Sequence, residues 1–141
     1  MSEMMAKRRE IVLAARESEV SRALEFVEEI MAESGFSPPK VLEVQLAVEE
    51  ACMNIALHAY PEGEGSFRIT SDPTDRGLIV TIEDQGTRFD PTKAEGPSLV
   101  GDADERQIGG LGIHLIKSFV EDVKYEFKDG KNMLILVIKR E

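Results

Sequence analysis

EEACMNIALHAYPEGEGSFRITS, residues 49–71, contains the change of period on which the fold turns. Upstream of Tyr60, Val41, Val44, Val48, Ile55 and Ala59 recur at helical spacing and form one apolar stripe. Ser37 is the expected N-cap of this helix, and Pro38 and Pro39 suit its first turn, where a missing N–H is not needed. Pro61-Glu62-Gly63 ends it. Downstream the period becomes two: residues 66–71 alternate as a strand, and 77–83 form a second strand beyond a turn rich in Asp, Pro and Gly at 72–77.

Residues 9–15, further upstream, read as a short strand. Ser18 is the expected N-cap of a helix running to about Ser34, with Val20, Leu24, Val27, Ile30 and Met31 at helical spacing and Gly35 as its stop. After the second strand, residues 85–110 have weak periodicity and many Gly, Pro, Asp and Glu. A stretch that long in a compact domain marks a functional lid or binding loop, placed at about 87–108. Residues 111–120 then read as a helix, and 123–127 with 133–139 as a hairpin across Lys128-Asp129-Gly130-Lys131. The order is strand, two helices, two strands, lid, helix, two strands. It predicts an α+β two-layer sandwich with a mixed, mostly antiparallel sheet and helices on one face. Strand and helix do not alternate as in a doubly wound fold, and no Gly-x4-Gly-Lys-Ser/Thr loop is present, so a nucleotide site here needs another design.

The 141 residues are expected to form one domain, with its core at about 9–139. Lys7-Arg8-Arg9 near the start is followed by no apolar h-region, which leads to the expectation of a cytoplasmic protein without a membrane segment. Cys52, the one cysteine, excludes an intramolecular disulfide and a cysteine-based metal cluster; inside an apolar helical pattern it reads as a small buried hydrophobe. A net charge of −10 repels a phosphate backbone and speaks against direct nucleic-acid binding. The same charge either keeps the protein soluble or complements a basic partner.

Three motifs carry possible chemistry. Glu50, Asn54 and His58 recur every fourth residue on one helix face. An Asn oxygen is a hard ligand suited to Mg²⁺, and a Glu can serve as general base; a solvated helix face would show the same stripe. Asp84-Gln85-Gly86 ends a strand and is followed by Phe89-Asp90-Pro91. A carboxylate there can accept from an exocyclic amine such as that of adenine, and a glycine two residues on leaves room for a flat ring; an ordinary turn favours the same residues. Gly109-Gly110-Leu111-Gly112 opens directly into a helix, where free N–H groups suit phosphate, although a flexible connector is equally glycine-rich.

In this order the three motifs resemble the GHKL (histidine kinase-like) ATPase superfamily, which includes gyrase and the histidine kinases. Residues 49–54 look like its N box, Asp84-Gln85-Gly86 like its first glycine box and 109–112 like its second. Within it the chain is most similar to the anti-sigma-factor serine/threonine protein kinases, through Phe89-Asp90-Pro91, the run Gly-Gly-Leu-Gly-Ile-His-Leu-Ile at 109–116, and the compact size. The resemblance implies an ATP site in which Asn54 holds Mg²⁺, Glu50 is the general base, Asp84 binds the adenine amine and Gly86 lies beneath the ring. Gly109, Gly110, Leu111 and Gly112 would contact phosphate, and Arg106 is a candidate for the γ-phosphate. The implied partners are an anti-anti-sigma (antagonist) protein and a sigma factor, and residues 9–34 would pair two protomers as a homodimer. His58 and His114 are left outside the chemistry. Two rival readings are a nucleotide-switched binding module without phosphotransfer and a histidine kinase catalytic fragment. The second lacks an upstream helical hairpin with a phospho-acceptor His.

Overall fold

The computed structural model describes residues 7–93 and 112–141. Its elements are β1 (Arg9–Ala14), α1 (Val20–Glu33), α2 (Pro38–Asn54), β2 (Ser66–Thr74), β3 (Gly77–Asp84), α3 (Gly112–Phe119), β4 (Asp122–Lys128) and β5 (Lys131–Lys139). The strands form one sheet in the order β1-β2-β3-β5-β4. Every pairing is antiparallel, so the mixed sheet expected from the sequence is corrected to a wholly antiparallel one among the described strands.

Local chemistry explains most boundaries. Ser37 caps α2 by accepting from the Lys40 N–H, and the Glu141 carboxylate takes the Ser37 N–H at 2.7 Å and its hydroxyl at 2.5 Å. Gly35, at φ +86°, stops α1: its N–H goes to the Ala32 carbonyl and the Phe36 N–H to that of Met31, the paired bonds of a Schellman motif. Asp129 and Gly130 both have positive φ, as a two-residue type I′ hairpin turn between β4 and β5 demands.

Three expectations fail locally. Ser18 does not cap α1: it lies in a single 3₁₀ turn, Glu17–Glu19, and the helix begins at Val20 without a side-chain cap. The turn expected over 72–77 is shorter, because β2 runs on to Thr74 and only Asp75 and Arg76 connect it to β3. Pro73 is tolerated there because β1 pairs with β2 no further than Ser71, so that side of the strand needs no N–H. The helix expected to reach Tyr60 as regular α changes at Asn54 into a π-turn, Ile55–Ala59.

The core lies between the three helices and one face of the sheet. Val27, Ile30 and Met31 of α1 meet Val44, Ala47, Val48 and Cys52 of α2 and Ile116 of α3 in one buried cluster. From the sheet come Phe67 and Ile69, Leu78, Val80 and Ile82, and Leu134, Leu136 and Ile138. On the opposite face Ile79, Thr81, Met133, Ile135 and Val137 are only partly buried. The register aligns the core-facing residues in rungs: Leu78 with Ile138, Val80 with Leu136, Ile82 with Leu134. The last rung breaks the pattern, for it pairs Asp84 with Asn132, both buried.

That rung makes a measurable prediction. Removing one member of a buried hydrogen-bonded pair strands the other, whereas replacing both with apolar groups avoids the penalty. Asn132→Leu is expected to cost about 1–3 kcal/mol in urea unfolding, and the double variant Asp84→Leu/Asn132→Leu to recover most of that loss. A double variant less stable than the single would show that the polar rung stabilises the fold.

Candidate nucleotide site

A cavity of about 330 Å³ opens at the polar end of the core, within the range of small-molecule sites. One wall is α2 and its π-turn, with Ala51, Asn54, Ile55, His58 and Ala59. The floor is the end of the sheet: Ile82 and Asp84 of β3, Asn132 and Leu134 of β5, Tyr125 of β4. Ile116 of α3 and the segment Thr87 to Pro91 complete it. The lining is mostly apolar with a few convergent polar groups, as suits a flat heteroaromatic ligand.

Asp84 is the central polar group. Its Oδ1 accepts from the Gly86 N–H at 2.8 Å and from Asn132 Nδ2 at 3.0 Å. Oδ2 is the oxygen left to accept from a ligand. Burial pushes the carboxyl above its ordinary value, and the two hydrogen bonds only partly offset that. Asn132 is fully used. Its Nδ2 also reaches the carbonyls of Thr87 at 3.1 Å and Gly86 at 3.4 Å, and its Oδ1 accepts from the Phe89 N–H at 3.1 Å and the Tyr125 hydroxyl at 2.5 Å. One side chain thus ties β3, β4, β5 and the segment after β3 together around the carboxylate. Its orientation is fixed by its neighbours, since a carboxylate needs a donor and an N–H needs an acceptor.

Gly86 is required, for a different reason from the one expected. A Cβ there would lie 2.3 Å from the Ala59 carbonyl oxygen, so the space belongs to the π-turn and not to a ring. The next residue locks this approach, with the Thr87 N–H donating to the same carbonyl at 2.8 Å. Tyr60 closes the far side: its hydroxyl donates to the Ser66 carbonyl at 2.6 Å and accepts from the Gln85 N–H at 2.8 Å. At the mouth, the Arg88 guanidinium stacks 4.7 Å above the Phe127 ring.

Of the residues singled out by sequence, Asn54, Asp84 and His58 line this one cavity. Glu50 lies one turn before Asn54, half-buried and not in the lining. Burial, and then the charge of Glu49, raise its carboxyl above the ordinary value, which makes it a stronger base. Arg106, Gly109, Gly110 and Leu111 lie outside the described residues. Gly112 is the first residue of α3, one turn before Ile116. Cys52 is fully buried and its thiol is pushed far up by burial, the inert hydrophobe expected. Among the described residues no three His, Cys, Asp or Glu side chains gather as a metal site. A Mg²⁺ carried by phosphates and water needs only one or two protein oxygens, and the Asn54 carboxamide on the cavity wall can supply one. No helix among the described residues is long and apolar enough to cross a membrane.

Asn132 was missed by sequence reasoning. The signal was there: Leu134, Leu136 and Ile138 set the inward phase of β5, and position 132 falls in that phase with a polar residue.

Comparison with known proteins agrees with this geometry. The profile of the histidine kinase-like ATPase domain matches residues 13–138. The serine/threonine-protein kinase BtrW of Bordetella bronchiseptica is 31% identical over 134 residues, covering 94% of each chain. The serine-protein kinase RsbW of Listeria innocua is 35% identical over 111 residues, 75% of this chain and 71% of the relative. The crystal structure of the RsbU and RsbW domains of Rv1364c from Mycobacterium tuberculosis superposes with a TM-score of 0.69 at 14% identity, over 96% of this chain. This chain spans about a third of that longer one, and at such identity the likeness speaks for the fold alone. With the α+β sandwich and the cavity between α2 and the sheet end, these matches make the chain a member of the histidine kinase-like ATPase domain family, in its serine/threonine-protein kinase branch.

Proposed function

We propose that this kinase acts as an anti-sigma factor, phosphorylating a serine or threonine of an anti-anti-sigma protein with ATP and sequestering a sigma factor, as a homodimer in the cytoplasm. The observation that carries the reading is the placement of Asp84 on the floor and Asn54 on the wall of one cavity, with Glu50 one helical turn before Asn54, just outside the lining. In this reading Asp84 Oδ2 accepts from the adenine amine, with the ring between the apolar walls given by Ile55, Ile82, Ile116 and Leu134. Asn54 would hold the Mg²⁺ on the triphosphate, and that ion would neutralise charge on the phosphates. Gly109, Gly110, Leu111 and Gly112 would donate backbone N–H groups to phosphate, and Arg106 would reach the γ-phosphate.

Glu50 supplies the acid–base step. Its carboxylate accepts the proton of the incoming hydroxyl while that oxygen bonds to the γ-phosphorus, and the bond from phosphorus to the bridging oxygen of ADP breaks. A carboxyl above its ordinary 4.5 holds that proton better. The same shift opposes folding. A carboxyl whose folded pKa is raised favours the folded state most at low pH, and that contribution is lost as pH rises through the folded value.

Glu50→Gln is therefore expected to retain ATP binding and abolish transfer from γ-labelled ATP to the serine-bearing partner. It should also melt at a higher temperature than wild type at neutral pH, with the gain disappearing below pH 4.5. Transfer at the wild-type rate in Glu50→Gln would remove Glu50 as base. Asp84→Asn should weaken ATP binding by roughly tenfold or more in calorimetry, since a charge-assisted hydrogen bond contributes about 1.5–3 kcal/mol. Unchanged ATP affinity in that variant would sink the adenine assignment.

A further inference from the structure

α2 is apolar on two opposite sides. At about 100° per residue, Val44, Val48, Ala51 and Ile55 face the core. Leu42 and Leu46, and Leu57 in the π-turn, lie on the other side and are 57%, 40% and 52% exposed, with half-buried Met53 among them. α2 packs against both α1 and α3, and this ridge stays exposed beside those contacts. Gln45 marks the α1 flank, donating to the Leu24 carbonyl at 3.1 Å. The ridge runs about 20 Å along the helix.

Its position relative to Glu50 is what gives it meaning. On the same wheel Glu50 stands about 40° from Leu46 on one side and about 40° from Asn54 on the other. The carboxylate therefore sits on the line where the exposed ridge meets the cavity wall. A hydroxyl that reaches Glu50 from solvent brings its protein down onto the residues around Glu50, and those residues are the ridge.

Charge narrows the partner further. Residues 41–59 contain no Lys or Arg, and neither do residues 23–34 of the neighbouring helix. Glu43 and Glu49 flank the ridge on α2, and Glu28 of α1 lies 3.5 Å from Gln45. An aliphatic strip with an acidic rim complements an aliphatic surface with a basic rim.

We propose that Leu42, Leu46, Met53 and Leu57 form the docking site for the protein whose hydroxyl Glu50 activates, and that this substrate presents an aliphatic patch bordered by Lys and Arg. The inference rests on the kinase reading of Glu50. The test uses the purified serine-bearing protein that the wild-type chain labels with γ-labelled ATP. Leu42→Glu/Leu46→Glu, at exposed positions, should raise the KM for that protein by at least roughly tenfold, with ATP affinity and sedimentation unchanged. Leu42→Ala/Leu46→Ala, which adds no charge, should raise KM in the same direction if the double Glu variant fails to fold. Glu49→Lys should raise KM as well and flatten its salt dependence. A KM equal to wild type in folded ridge variants overturns the docking site while leaving the kinase reading intact. Ridge variants that turn a wild-type dimer into monomers overturn it in favour of a second copy of this chain. A wild-type chain that binds ATP and labels no such protein removes both readings together.

Discussion

The arrangement of this molecule hangs on a carboxylate buried at the end of an otherwise apolar sheet face. Successive rungs of β3 and β5 meet the helices with aliphatic pairs, and the last rung offers Asp84 and Asn132 instead. A charge there is costly, and burial duly raises the Asp84 carboxyl. It is tolerable because Oδ1 has two donors and because Asn132 spends every hydrogen bond it can make on holding that corner together. The rung gives up hydrophobic burial at one end of the core and leaves a cavity with a fixed acceptor in its floor. Aliphatic residues at 84 and 132 would continue the core and remove the acceptor.

Holding the cavity open requires the helix above the rung to stop at the right height. The π-turn at Ile55–Ala59 widens the end of α2 and directs the Ala59 carbonyl at the turn after β3, where it receives the Thr87 N–H. Gly86 has no space for a Cβ because that carbonyl already occupies it. The glycine, the π-turn and the Thr87 bond thus form one contact between the layers. Tyr60 pins the same corner from outside through Ser66 and Gln85. Wide turns of this kind are rare in helices and concentrate at functional sites, as this one does.

Much of this was legible in the sequence, and what was not shares a cause. The stripe Val41, Val44, Val48, Ile55 and Ala59 is local periodicity, and all five residues are buried. Gly35 and the Asp129-Gly130 turn are local conformational signals, and the backbone angles match them. Asp84 stood out as a carboxylate at the end of a strand and Asn54 as part of a polar stripe on one helix face, and both line the cavity. The inward phase of β5 marks Asn132 as a polar residue turned to the core, but its partner lies 48 residues away, and the strand register is what pairs it with Asp84. Gly86 was recognised as a required glycine, but its reason lies in Ala59, on another layer. The π-turn and the strand character of Pro73 follow from tertiary packing and from the shortness of β1, neither of which local propensity contains.

In the proposed reading α2 carries most of the chemistry, because one helix can present several faces at fixed angles. Its inner face is filled by Val44, Ala47, Val48 and Ala51 and cannot move without opening the core. Asn54, a turn beyond Glu50, is therefore held against the cavity by the same packing that holds the fold. Glu50 sits between that wall and solvent, buried enough to have its carboxyl raised and exposed enough to meet an incoming group. A fully solvated Glu would be a weaker base, and a fully buried one could not reach a hydroxyl on another protein. The intermediate position follows from its azimuth on a helix already fixed by its core face. The packing that buries Val44 and Val48 therefore also fixes how far Glu50 is buried, and burial is the first cause of its raised carboxyl.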